Sequence, residues 1–167
     1  WVSSCFYPKL IPYIYLYKNP ARSDIKAEHF VAILENEFIR DWWGGGYLFF
    51  PRDNKAACLV FDGRWGEKYQ PFIFGPYYAR PLMVTLNKQT GIAFIQMARQ
   101  EDCIALYSSW IRATAEERPN TAEYFVFFGE DLKPDDTRTA RMRSCLIEMR
   151  EDFNIPLKVY EHFINEP

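Results

Sequence analysis

The chain has 167 residues and a mass of 19.8 kDa, the size of one domain, and a chain this long buries about 70% of the surface its unfolded form exposes, so it needs no disulfide or metal staple. Hydrophobic residues make up 49% and charged residues 25%, a balance that excludes a disordered chain. Twenty basic against 22 acidic side chains give a net charge of −2, which excludes a global basic field for nucleic acid. No apolar run approaches the ~18 residues of a membrane span. The distinguishing feature is aromatic: 14 Phe, 11 Tyr and 5 Trp, more rigid amphipathic surface than a core of this size requires. Trp1 is not an initiator residue, so residues 1–167 are expected to be a single domain excised from a longer or processed chain.

Residues 10–17 (LIPYIYLY) predict a strand, with Pro12 placing it at an edge or at its start. Residues 18–20 form a turn and Ser23 suits a helix N-cap. Ala27, Phe30, Val31, Leu34 and Phe38 recur at three- and four-residue steps, predicting a helix over 24–43 that residues 44–46 (GGG) terminate. Residues 47–50 and 56–61 read as strands around a turn at 51–55 (PRDNK). A second hairpin joins 81–86 to 91–97 through 87–91 (NKQTG), where Gly91 can take positive φ. Residues 103–111 follow as a third member of that meander, and 122–128 (AEYFVFF) read as a buried strand.

Met142, Cys145, Leu146, Met149 and Phe153 lie at helical spacing, predicting a second helix over 136–153 with Asp135 and Asp136 at its start and Pro156 past its end. Residues 157–163 then close as an alternating strand. The expected fold is α+β: a curved, mostly antiparallel sheet of about six to eight strands with the two main helices packed on one face.

Cys5, Cys58, Cys103 and Cys145 are spread at intervals of 53, 45 and 42 residues, without the CxxC spacing of a zinc knuckle or a thioredoxin-type site. Four cysteines allow two disulfides in a secreted protein. The apolar surroundings of Cys58, Cys103 and Cys145 instead suggest small hydrophobes in a reduced, intracellular protein of cytoplasm or nucleus.

Residues 63–81 (GRWGEKYQPFIFGPYYARP) carry three Gly, three Pro and six aromatics, too many breakers for a long regular element and too much aromatic surface to leave in water. This loop insertion either packs back on the domain or presents Trp65, Tyr69, Tyr77 and Tyr78 to a partner, with Arg64 and Arg80 as charged anchors. Tyr, Trp and Arg are the residue types enriched at interface hot spots. The leading expectation is a non-enzymatic protein-interaction domain of adaptor or scaffold type, binding another protein or a second copy of itself, with no cofactor, no metal and no membrane.

An alternative expectation is RNA or nucleotide binding by stacking. Trp65 and Glu67 could serve a cap-like purine pocket, the ring stacking while the carboxylate accepts its hydrogens, and Trp42 or Trp43 could supply a second plane. The element order departs from the translation-initiation cap-binding proteins, since residues 84–88 run directly into another strand where those proteins carry a long helix. Arg138, Arg141 and Arg143 could reach phosphates, although Glu148, Glu151 and Asp152 share the same segment. A third expectation, metal-dependent nuclease chemistry, would use Asp62 with the acid-x-Lys spacing of Asp131 and Lys133. His29 and His162 are the only histidines, and no GxSxG, HExxH, GxxxxGK[ST] or GxGxxG occurs.

Overall fold

The computed structural model describes residues 2–6, 9–18, 27–34, 37–41, 46–60, 73–74, 76–111, 120–130 and 132–167, with side chains at 38, 49–59, 76–106, 124–130 and 132–167. In chain order the elements are β1 (Val2–Phe6), β2 (Lys9–Lys18), β3 (Ala27–Leu34), β4 (Glu37–Asp41), β5 (Gly46–Pro51), α1 (Asn54–Val60), β6 (Ile73–Phe74), β7 (Leu82–Asn87), β8 (Ile92–Ala98), β9 (Cys103–Ile111), β10 (Asn120–Phe127), β11 (Met142–Glu148) and α2 (Asn154–Ile164). The class is α+β with two helices among the described residues, but the strands form two sheets rather than one. A six-stranded sheet has the order β1-β2-β10-β9-β5-β6 and a five-stranded sheet the order β11-β8-β7-β3-β4. All pairings are antiparallel except the short β5–β6 pair.

Three apolar layers hold these elements together. Leu82, Val84 and Leu86 of β7 and Ala93, Ile95 and Met97 of β8 pack against Leu157, Tyr160 and Phe163 of α2. Successive strand residues point to opposite faces, so Met83, Ala98 and Met142 face the other way. There they meet Phe50, Cys103, Leu106, Phe125 and Phe127 of the six-stranded sheet. The outer face of that sheet, with Phe49, Ile104, Ala105 and Val126, is covered by Ala56 and Leu59 of α1. A register shift where Phe127 pairs Cys103 and Val126 pairs Ala105 leaves Ile104 as the extra residue. This bulge lets Ile104 and Ala105 serve one face while Cys103 and Leu106 serve the other. The helices therefore lie on opposite outer faces of two packed sheets, not together on one face.

Both expected helices are corrected. Residues 27–34 and 37–41 are the antiparallel strands β3 and β4, and β3 pairs with β7 on its other side. Their apolar spacing fits either period, and the two neighbouring strands decide for extended backbone. Residues 136–141 are irregular and 142–148 are the edge strand β11. Cys145 and Ile147 pack toward α2, whereas Leu146 is 73% exposed. An exposed Leu in an edge strand breaks the two-residue alternation and produces an apparent helical stripe. Asp136 starts no helix; its carboxylate accepts the Lys133 N–H at 3.0 Å within a tight turn.

The two expected strands at 56–61 and 157–163 are likewise corrected to helix. Asp53, taken as a turn residue, caps α1 by accepting the Ala56 N–H at 2.8 Å. Cys58, expected among apolar neighbours, is exposed on this helix. Pro156 does not follow a helix but occupies the first turn of α2, where its missing N–H would have had no acceptor. The Asp152 carboxylate accepts the Asn154 N–H just before it.

The β7–β8 hairpin matches expectation. Gly91 has φ +72° and donates to the Asn87 carbonyl at 2.8 Å, while the Asn87 side chain accepts the Gln89 N–H. Strand β9 then leaves for the other sheet instead of continuing the meander. Pro12 lies one residue beyond the β2–β10 register, so its position opposite Ser3 of β1 asks for no N–H toward β10.

Candidate functional site

Residues 76–81 are the described end of the aromatic segment, and they treat their two tyrosines oppositely. The Tyr78 N–H donates to the Pro51 carbonyl at 3.1 Å and its hydroxyl to the Cys103 carbonyl, in the core between the sheets. With 3% of its surface exposed, Tyr78 is an anchor, correcting the expectation that it is displayed. Burial pushes its hydroxyl well above the ordinary phenol range. Tyr77 is 49% exposed. Because an adjacent side chain and the backbone are both pinned, Tyr77 is held out on fixed backbone.

Arg80 follows at the start of a recess of about 430 Å³ shared with Arg99, Gln100 and Glu101 of the β8–β9 corner and with Tyr160 and Ile164 of α2. That corner is tightly built. Asp102 and Cys103 donate to the Arg99 carbonyl, and the Arg52 guanidinium donates to the Gln100 and Glu101 carbonyls, each at 3.3 Å. Arg99 donates through Nη2 to the Glu166 carbonyl at 3.3 Å, and its Nη1 stands 3.9 Å from the Glu101 carboxylate, beyond hydrogen-bond reach. Its Nε is buried with no acceptor among the described residues. No carboxylate pairs with Arg80 among the described residues. Burial pushes the Tyr160 hydroxyl up to about 12, Arg80 draws it back and Glu101 adds to the rise. Tyr160 therefore keeps its proton and can donate a hydrogen bond.

The expected basic cluster is otherwise engaged. Both terminal nitrogens of Arg143 donate to the two carboxylate oxygens of Glu166, and Arg141 reaches the same carboxylate at 3.1 Å. Both guanidinium groups stand over the Phe163 ring, at 5.7 Å and 5.5 Å. Arg138 pairs with Glu130 at 2.9 Å in the loop before β11. These contacts make Arg141 and Arg143 clamps between β11 and the end of α2, not free phosphate ligands.

Trp42, Trp43, Arg64, Trp65, Glu67 and Tyr69 lie outside the described residues, as do Asp62 and Asp131. Lys133 is exposed in the turn after Leu132. His162 lies on α2 rather than on a strand, 3.3 Å from Glu166 and largely exposed. Among the described residues no three His, Cys, Asp or Glu side chains gather to hold a metal ion, and no helix is long and apolar enough to cross a membrane.

Of the expected recognition residues that are described, Tyr77 is exposed, Arg80 is half-buried at the recess and Tyr78 is buried. The sequence reading did not identify Arg99, Gln100, Tyr160 or Ile164. No local pattern sets residues 99–102 apart, and Tyr160 fell within the expected strand 157–163. No family model, curated protein or solved structure matches the chain.

Proposed function

We propose that this chain is a non-enzymatic protein-interaction domain that binds another protein through the surface carrying Tyr77 and Arg80. The observation behind the reading is the pairing of a half-exposed Tyr77 with the buried anchor Tyr78, three residues from an Arg80 that lacks a carboxylate partner among the described residues. An aromatic ring on backbone held by its neighbour loses little freedom on binding, and Tyr and Arg contribute strongly at interfaces. The described cysteines Cys58, Cys103 and Cys145 are free thiols, which supports a reducing, intracellular setting.

The test is affinity capture with the purified chain as bait, before and after RNase, followed by binding of the identified partner to Tyr77→Ser. Partner retention after RNase, with affinity lowered about fivefold or more by Tyr77→Ser, is the expected result. Retention unchanged by the substitution, or release by RNase, would remove this reading and bring the stacking alternative forward.

A further inference from the structure

The recess lined by Arg80 has more donors than its own acceptors use. Two guanidinium groups, Arg80 and Arg99, face one carboxylate, Glu101, whose side chain is 68% exposed at the rim. Glu101 sits too far from Arg99 for a hydrogen bond, and nothing described pairs with Arg80. Gln100 and the Tyr160 hydroxyl add neutral hydrogen-bonding groups, and the exposed Ile164 adds an apolar wall. Arg99 already donates to the Glu166 carbonyl and stands in ion-pair range of Glu101, so the cation left without a described partner is Arg80, and such a donor in a partly enclosed site favours an anionic oxygen ligand.

We infer that the recess takes the carboxylate of an acidic side chain on the partner protein, with Arg80 as its ion-pair partner and Arg99 Nη1 and the Tyr160 hydroxyl as neighbouring donors. The inference rests on the protein-binding reading above and names the chemistry of that partner. A carboxylate is favoured over a phosphate monoester because Glu101 repels a dianion about twice as strongly as a monoanion at equal distance. The planar guanidinium fork also matches a carboxylate, and the ligand's methylenes have Ile164 to pack on.

The experiment is calorimetric titration at constant ionic strength with an N-acetylated six-residue Asp/Glu peptide, and separately with inorganic phosphate. Saturable peptide binding is expected, weakened about tenfold or more in Arg80→Gln and tightened severalfold in Glu101→Gln. Arg138→Gln, which alters an exposed arginine outside the recess, should bind as the parent does. Arg80 makes no described ion pair, so Arg80→Gln should melt at the parent's temperature, and a thermal melt of each variant confirms folding. Four outcomes would overturn the assignment: no peptide binding, equal binding by Arg80→Gln, equal loss in Arg138→Gln, or no tightening in Glu101→Gln. Saturation by phosphate but not by the peptide would overturn the carboxylate in favour of a phosphate. Peptide binding that stands while Tyr77→Ser leaves partner capture unchanged would fault the proposed interface and not the anion site.

Discussion

Gln96 shows what a single side chain contributes to this fold. It lies on β8 opposite Met83, on the face between the sheets, with none of its surface exposed, and neither amide atom has a hydrogen-bond partner among the described residues. A buried polar group without a partner costs about 1–3 kcal/mol. Gln96→Met, close in length and able to pack on Met83, is therefore expected to raise stability by roughly 1–3 kcal/mol. The check is a higher urea midpoint at unchanged m-value; a lower midpoint would mean that the amide serves a group the apolar side chain cannot replace. The two glycines with positive φ differ in how they could be foreseen. Gly91 belongs to a local turn whose composition announces it. The φ of +63° at Gly129 comes with a close approach, since a Cβ there would sit 2.7 Å from Ile104 Cδ1 and 2.8 Å from Leu59 Cδ1. Those neighbours come from β9 and α1, so nothing near Gly129 in the chain reports them. Cys103 is similar: burial pushes its thiol up to about 12, and this keeps it an inert core group.

At the scale of elements, both helices are secured at their ends by carboxylates. Asp53 holds its proton less readily than an ordinary aspartate because the Ala56 amide and then Arg52 favour the charged form. Asp53→Ala is expected to cost about 1 kcal/mol through loss of the cap, measurable by chemical denaturation. Glu166 is shifted the same way, chiefly by the Arg143 hydrogen bonds and further by Arg141 and His162. Carboxylates with lowered folded pKa contribute stability above their unfolded value and lose it as pH falls through the folded one. Stability should thus stay level from neutral pH to mild acid and decline below about pH 4. Glu166→Gln should flatten that decline and speed amide exchange in the last turn of α2. Unchanged exchange there would show that the Arg143–Glu166 contact does not hold the helix end. The element types were misread wherever apolar residues fit two periods, as in 27–41 and 142–153. Turn chemistry was read correctly at 87–91, whereas at 51–55 the same residue types lead into a helix that Asp53 caps.

Across the whole molecule, the two sheets are joined by an apolar layer to which both contribute. Met83, Ala98 and Met142 from one sheet share a single apolar layer with Phe50, Leu106, Phe125 and Phe127 from the other, and each outer face is closed by one helix. Exposing either sheet would open the common layer, so unfolding should be one cooperative transition. Far-ultraviolet dichroism, tryptophan fluorescence and exchange of α2 amides should give coincident urea midpoints. A separated α2 transition would mean that the helix is an independent unit. The recess also belongs to this scale, because its walls come from the segment before β7, the β8–β9 corner and α2.

Composition, the α+β class, the β7–β8 hairpin and the strands expected at 10–17 and 103–111 were all legible in the chain, because each rests on local chemistry or on long apolar runs. The split into two sheets, the identity of the helices, the burial of Tyr78 and the meeting of Arg80 with Arg99 and Tyr160 were decided only by tertiary structure. An apolar pattern says that a face will be covered but not by what, and residues 80, 99 and 160 become neighbours only after the strands have chosen partners far along the chain.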